Sequence, residues 1–168
     1  MATDPFTQVY KAIWKLLADG DEFAVSVKDG NRISYAGRSN RNPEKTNVLA
    51  ADFPEVRLSP MGGEYGTIRD TGGRTWVERY QIMLCTGDRR VDVYLYPVRW
   101  AIIRALVDWE TTLKALTWED SAFVIKAELQ AVNVGTSEID MKRGIEGWAS
   151  FATLEITMWF SHSNLRGT

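Results

Sequence analysis

Two long stretches of alternating side chains fix most of what this chain can become. Residues 123–134 place Phe123, Ile125, Ala127, Leu129 and Ala131 on one side, and residues 148–160 do the same with Trp148, Ala152, Leu154, Ile156, Met158 and Phe160. Successive side chains of a strand point to opposite faces, so period-two alternation of this length predicts a sheet with one face buried and the other polar. The connection between them, residues 135–147, is 13 residues long and carries Glu138, Asp140, Lys142 and Arg143. It is longer than a hairpin needs, which points to a contact made by the loop itself.

Helices are expected to cover the buried face. Asp4 followed by Pro5 is a start signal, because the carboxylate accepts from an orphan amide and proline loses nothing at the first helical position. Phe6, Val9, Tyr10, Ile13, Trp14, Leu16 and Leu17 then draw one apolar stripe that Gly20 ends. A second helix follows from the spacing of Val91, Leu95, Val98, Ile102, Ile103, Leu106 and Trp109. Either it begins near Asp92, with Pro97 inside its first turns, or residues 91–96 are extended and Pro97 opens it. The longer helix is the favoured form, and residues 113–116 add a short helical turn.

The remaining strands are shorter. Phe23, Val25 and Val27 alternate before Asp29-Gly30-Asn31, and residues 32–35 return as a second short strand of a hairpin. Residues 36–53 form a polar surface excursion without periodicity. Val56 and Leu58, bracketed by Pro54 and Pro60, suit an edge or strand-end position. Residues 61–74 hold five glycines and are expected to form an exposed mobile loop. From Trp76 to Cys85 the alternation resumes, with Tyr80, Ile82 and Leu84 on one side and Arg79 and Gln81 on the other. The single Cys85, lying within that alternation, reads as a small buried thiol.

The sum is an α+β fold: a single, mostly antiparallel sheet with a long C-terminal hairpin, packed against two main helices. A chain of 168 residues makes one domain, 1–168, that needs no disulfide or metal to hold its core. Seven tryptophans are more than a core of this size needs, and two or three are assigned to an interface. The formal charge of −2 gives no general attraction to polyphosphate, which requires clustered Lys and Arg. Met1 to Pro5 shows no basic region before an apolar run, and no apolar stretch reaches the ~20 residues of a membrane span. Synthesis and use in the cytoplasm are expected.

Chemistry-bearing patterns are thin. The one His162 sits beside Ser161 and Ser163 at the end of the chain, where a catalytic geometry is hard to hold. One His and one Cys exclude the common zinc patterns, and the acidic pairs, among them Glu119 with Asp120, fall at element ends. Met61-Gly62-Gly63-Glu64-Tyr65-Gly66 lacks the Lys and hydroxyl of a phosphate loop. No catalytic residue, metal site or cofactor is expected.

Resemblance carries function further than these patterns do. The order helix, short strands, polar excursion, strand, helix, closing hairpin, with Arg79-Tyr80-Gln81-Ile82-Met83-Leu84 before the second helix and Gly147-Trp148 opening a last strand that ends Trp159-Phe160-Ser161, resembles the tail terminator and tail-completion proteins of long-tailed bacteriophages. The likeness covers nearly the whole chain and lies in pattern and length. It implies a non-enzymatic virion protein, assembled in the host cytoplasm, whose ring of identical subunits, usually a hexamer, caps the tail tube protein, stops its growth and receives the head connector while DNA passes through the lumen. The candidate contact residues on that reading are Arg69, Asp70, Arg74, Glu138, Asp140, Lys142 and Arg143. Alternatives are another head-closure or connector protein, or a small-molecule-binding α+β domain with a pocket lined by Trp76, Tyr80 or Trp100.

Overall fold

The computed structural model describes residues 4–19, 34–35, 55–70, 72–85, 96–140 and 145–166. Its elements are α1 (Pro5–Asp19), β1 (Ser34–Tyr35), β2 (Glu55–Asp70), β3 (Gly73–Cys85), α2 (Tyr96–Ala105), α3 (Trp109–Lys114), β4 (Thr117–Trp118), β5 (Ser121–Ala122), β6 (Val124–Asp140), β7 (Ile145–Ser161) and α4 (His162–Arg166). Five strands form one sheet in the order β1-β2-β3-β7-β6, while β4 and β5 make a separate small ribbon. Only the β1–β2 pair is parallel; the other neighbours in the large sheet are antiparallel. The α+β architecture with its long closing hairpin is therefore as the alternation predicts.

The central strands follow their sequence period. On β7, Ala152, Leu154, Ile156, Met158 and Phe160 are buried, and on β3 so are Tyr80 and Ile82, which pair with Leu154 and Ala152. Burying each large apolar side chain contributes about 1.5–3 kcal/mol, so this seam dominates the core. Helix α1 covers it with Val9, Ile13 and Leu17, all fully buried and four residues apart. Phe6 and Trp14, from the same predicted stripe, are instead exposed. Asp4 caps the helix, its Oδ1 accepting from Thr7 N at 2.9 Å, and hydrogen bonds from the Thr7 side chain first and then from this backbone amide hold its carboxyl below the usual range.

Four expectations are corrected. Residues 61–74 are no loop: β2 runs to Asp70, and its Gly63 and Gly66 lie where the chain packs closely against β3. At Gly63 an added Cβ would strike Glu78, Trp76 and the Val77 carbonyl, and at Gly66 it would strike Thr75, so both glycines permit contact. Gly62, at φ +85°, sits in the register shift after Pro60, a bulge that accommodates the missing proline amide. Val56 and Leu58 do not form a short edge strand: they stand near the start of the 16-residue β2, the strand-end alternative, with β1 on one side and β3 on the other.

The described second helix begins at Tyr96, with Pro97 in its first turn, and residues 91–95 lie outside the described residues. Proline costs nothing there, since first-turn amides have no intrahelical acceptor. On β6 a register shift between Val124 and Lys126 breaks the expected alternation: Phe123 and Ala127 are buried as it predicts, but Ile125 and Leu129 are exposed. Val124 and Ala127 are buried, Ile125 faces out, and Phe123 precedes the strand, its carbonyl accepting from Trp159 N at 2.7 Å. The connection read as residues 135–147 is mostly strand, with β6 reaching Asp140 and β7 starting at Ile145. Of the hairpin expected at 23–35 only Ser34 and Tyr35 are described, as β1 parallel to β2; residues 23–33 and the polar excursion at 36–53 lie outside the described residues, as does the side chain of Cys85.

Candidate functional site

Aromatic side chains gather where the β2–β3 turn meets the start of α1 and the end of β7. Phe6 meets Trp76 edge-on at 6.0 Å and Phe160 at 6.2 Å between ring centroids. Tyr65 meets Trp76 at 5.2 Å and Trp118 meets Phe160 at 5.7 Å, both near-perpendicular. Trp118 arrives there through the β4–β5 ribbon, whose turn residues Glu119 and Asp120 both have positive φ. These rings and Leu165 line a cleft of about 450 Å³, with the exposed charges Asp4 and Arg74 beside it. The Arg74 guanidinium lies over the Tyr65 ring, 5.4 Å from its centroid.

One register lower, β3 carries a polar group on its buried side. Alternation puts Trp76, Glu78 and Tyr80 on the face that α1 covers, and Glu78 is 8 % exposed. The indole Nε1 of Trp76 donates to Glu78 Oε2 at 2.7 Å beneath Gly63. Burial, reinforced by the charge of Glu78 and then of Asp4, raises the Tyr80 phenol above its ordinary pKa. A cavity of about 320 Å³ opens between α1 and the sheet here, with Glu78 and Tyr80 in its lining. Glu78 is not among the candidates the sequence offers, although its parity with Tyr80 and Ile82 marks it as a carboxylate on the apolar side.

On the opposite face Arg79 joins Glu64 at 2.8 Å and Glu155 at 3.0 Å, a partly exposed charge network spanning β2, β3 and β7. A third surface lies on α2 and the turn after it, residues 106–108. Ala101, Ile102 and Leu106 face inward, whereas Tyr96 and Trp100 (57 % each), Ile103 (40 %) and Val107 (75 %) are exposed at spacings of four, three and four residues. That spacing makes one contiguous apolar stripe on the outer face.

The predicted contact residues fall into two groups. Arg69 and Asp70 close β2, pairing through the backbone with Arg74 and Gly73 at the start of β3. Glu138 and Asp140 end β6, opposite Glu146 and Ile145, while Lys142 and Arg143 lie outside the described residues. Arg74 pairs with Phe160 and Asp140 with Ile145, so the groups stand at opposite ends of β7, about 50 Å apart at ~3.3 Å per residue. Of the proposed pocket aromatics, Trp76 lines the cleft and Tyr80 the smaller cavity, but Trp100 lines neither and belongs to the α2 stripe.

Ser161 and Ser163 hydroxyls bond one another at 2.8 Å, and His162 N donates to the Gly72 carbonyl at 2.9 Å, tying the end of β7 to the β2–β3 turn. Among the described residues no group of three or more His, Cys, Asp or Glu is placed to hold a metal ion, and no helix is long and apolar enough to cross a membrane. Comparison with protein-family models and with curated proteins finds no match to this chain.

Proposed function

We propose that this chain is a structural subunit of a long-tailed phage virion that closes into a ring, a hexamer, caps the tail tube and offers its other side to the head connector. The observation that carries the reading is the exposed stripe of Tyr96, Trp100 and Ile103 on α2, continued by Val107 in the turn after it. A stripe of four exposed apolar side chains is costly in water and is covered in an assembled state. A head-to-tail ring needs a second, dissimilar patch on each subunit. The outer edge of β6 is a candidate, since among the described residues it pairs with no strand and bears exposed Ile125 and Leu129.

Charged groups at both ends of the long sheet fit a subunit that meets different partners above and below. Arg69, Asp70 and Arg74 would serve one partner, and Glu138, Asp140, Lys142 and Arg143 the other. The net charge of −2 suits a lumen through which DNA slides without being gripped. Another neck or head-closure ring would use the same surfaces and differ only in its neighbours.

Light scattering behind size exclusion, with and without purified tail tubes, tests the proposal. A ring alone or a ring on tube ends, seen by negative stain as tubes that stop growing, is the expected result. A strict monomer that neither binds tubes nor halts their growth overturns it. A second reading, a small-molecule-binding domain, draws on the aromatic cleft of about 450 Å³. It predicts a rise in melting temperature with a specific metabolite in a thermal-shift screen.

A further inference from the structure

A carboxylate that is more than nine-tenths buried normally has several partners, because desolvating it is expensive unless charge or hydrogen bonds compensate. Glu78 has one neutral donor, the Trp76 indole, on Oε2. Among the described residues no cation pairs with it. Its cavity of about 320 Å³ reaches the surface between Lys11 and Pro60, both exposed, and is walled by the rings of Phe6, Tyr10 and Tyr80. Tyr10, half-buried, and Tyr80, buried, lie 6.2 Å apart at 43°.

We propose that this cavity binds an organic cation, an ammonium or guanidinium on an aliphatic stem, with Glu78 as its counter-charge and the three rings as its walls. The chemistry is complementary at each point. The carboxylate oxygen left over from Trp76 accepts a charge-assisted bond, the ring faces attract the cation through their quadrupoles, and the apolar walls cover the stem. Water satisfies the first requirement but gains nothing from the second. An anion is repelled by Glu78. Nothing in this site depends on ring formation, so the two proposals fail separately.

The Trp76 indole N–H is a reporter built into the site. Titrating the full chain with n-butylammonium or n-butylguanidinium, and reading indole N–H resonances by two-dimensional NMR, should shift the Trp76 signal saturably. Equimolar n-butanol, which has the stem without the charge, should not. Glu78→Gln retains an acceptor for Trp76 but removes the charge, and should weaken cation binding by about tenfold or more. Lys11→Ala should bind at least as tightly, since a competing cation at the mouth is gone. N-acetyl-lysine amide separates the sources: binding as strong as butylammonium marks a partner's side chain, and weaker binding marks a free amine, either result supporting the site. The proposal is overturned if butanol shifts the signal as strongly as the cations, if no cation shifts it, or if Glu78→Gln binds unchanged. Loss of binding in Lys11→Ala also overturns it. The cation-against-alcohol comparison uses the native chain, so it decides even where a variant does not fold.

Discussion

Trp76 and Glu78, two residues apart on the α1-facing side of β3, are joined by a 2.7 Å hydrogen bond from indole to carboxylate. The bond leaves the strand period intact while holding a charge in the core, and Gly63 on the neighbouring strand makes room for it. Trp76→Phe should therefore cost more than its lost contact area. Leaving Glu78 Oε2 buried without its donor costs about 1–3 kcal/mol, and Glu78→Gln in the same background should recover part of it. Urea unfolding of the two single variants and the double variant measures the coupling.

Glycine on β2 should be specific to position. Gly63→Ala forces a Cβ into Glu78, Trp76 and the Val77 carbonyl, and the backbone carbonyl cannot swing away. A loss of about 1–3 kcal/mol is expected, as for overpacking elsewhere. Gly72→Ala meets nothing within 4 Å and should stay within about 0.5 kcal/mol of the parent. Paired chemical denaturation curves distinguish the two.

The two-residue turn between β4 and β5 should be improvable. Asp120 has φ +61°, a conformation costing an L-residue about 1–2 kcal/mol, whereas glycine there loses only about 0.4–1 kcal/mol through extra freedom in the unfolded chain. Asp120→Gly should raise stability by up to about 1 kcal/mol, seen as a higher denaturation midpoint.

Acid stability should include a contribution from Asp4. Its folded pKa is lowered, first by the hydrogen bond from Thr7, so the stabilisation is complete above the unfolded carboxylate's pKa and fades as pH falls through the lower folded value. Asp4→Ala should cost about 0.5–2 kcal/mol at neutral pH as a lost helix cap. Asp4→Asn should keep most of the cap and lose this part of the pH dependence. Thermal melts from neutral pH down to pH ~2 follow it.

On α2 and the turn after it, Ile103→Glu and Val107→Lys should abolish assembly without lowering the melting temperature of the monomer, because both side chains are exposed. Ile102→Glu should unfold the chain, since that neighbour is buried. Light scattering and calorimetry on the three variants separate interface from core.

The alternation of Tyr80, Ile82, Leu154, Ile156 and Met158 made the sheet and its buried face legible in the sequence, because a two-residue period admits one arrangement against a core. The Asp4-Pro5 start did the same for α1, through local hydrogen bonding. Other features depended on neighbours far along the chain. Glycines at 63 and 66 look like a loop in isolation, yet their missing side chains are what let β2 lie against Trp76, Glu78 and Thr75. The shift at Ile125 arises from pairing with β7, which no local period reports.

What the sequence determined by itself was the class of fold and its central seam, since side-chain period and helix caps act within a few residues. What only the tertiary structure decided was location: that the charged candidates stand at opposite ends of β7, that Trp100 is outside, and that Glu78 is inside with a cavity in front of it. Those follow from strand register and helix packing, which join residues distant along the chain and are set by the fit of surfaces.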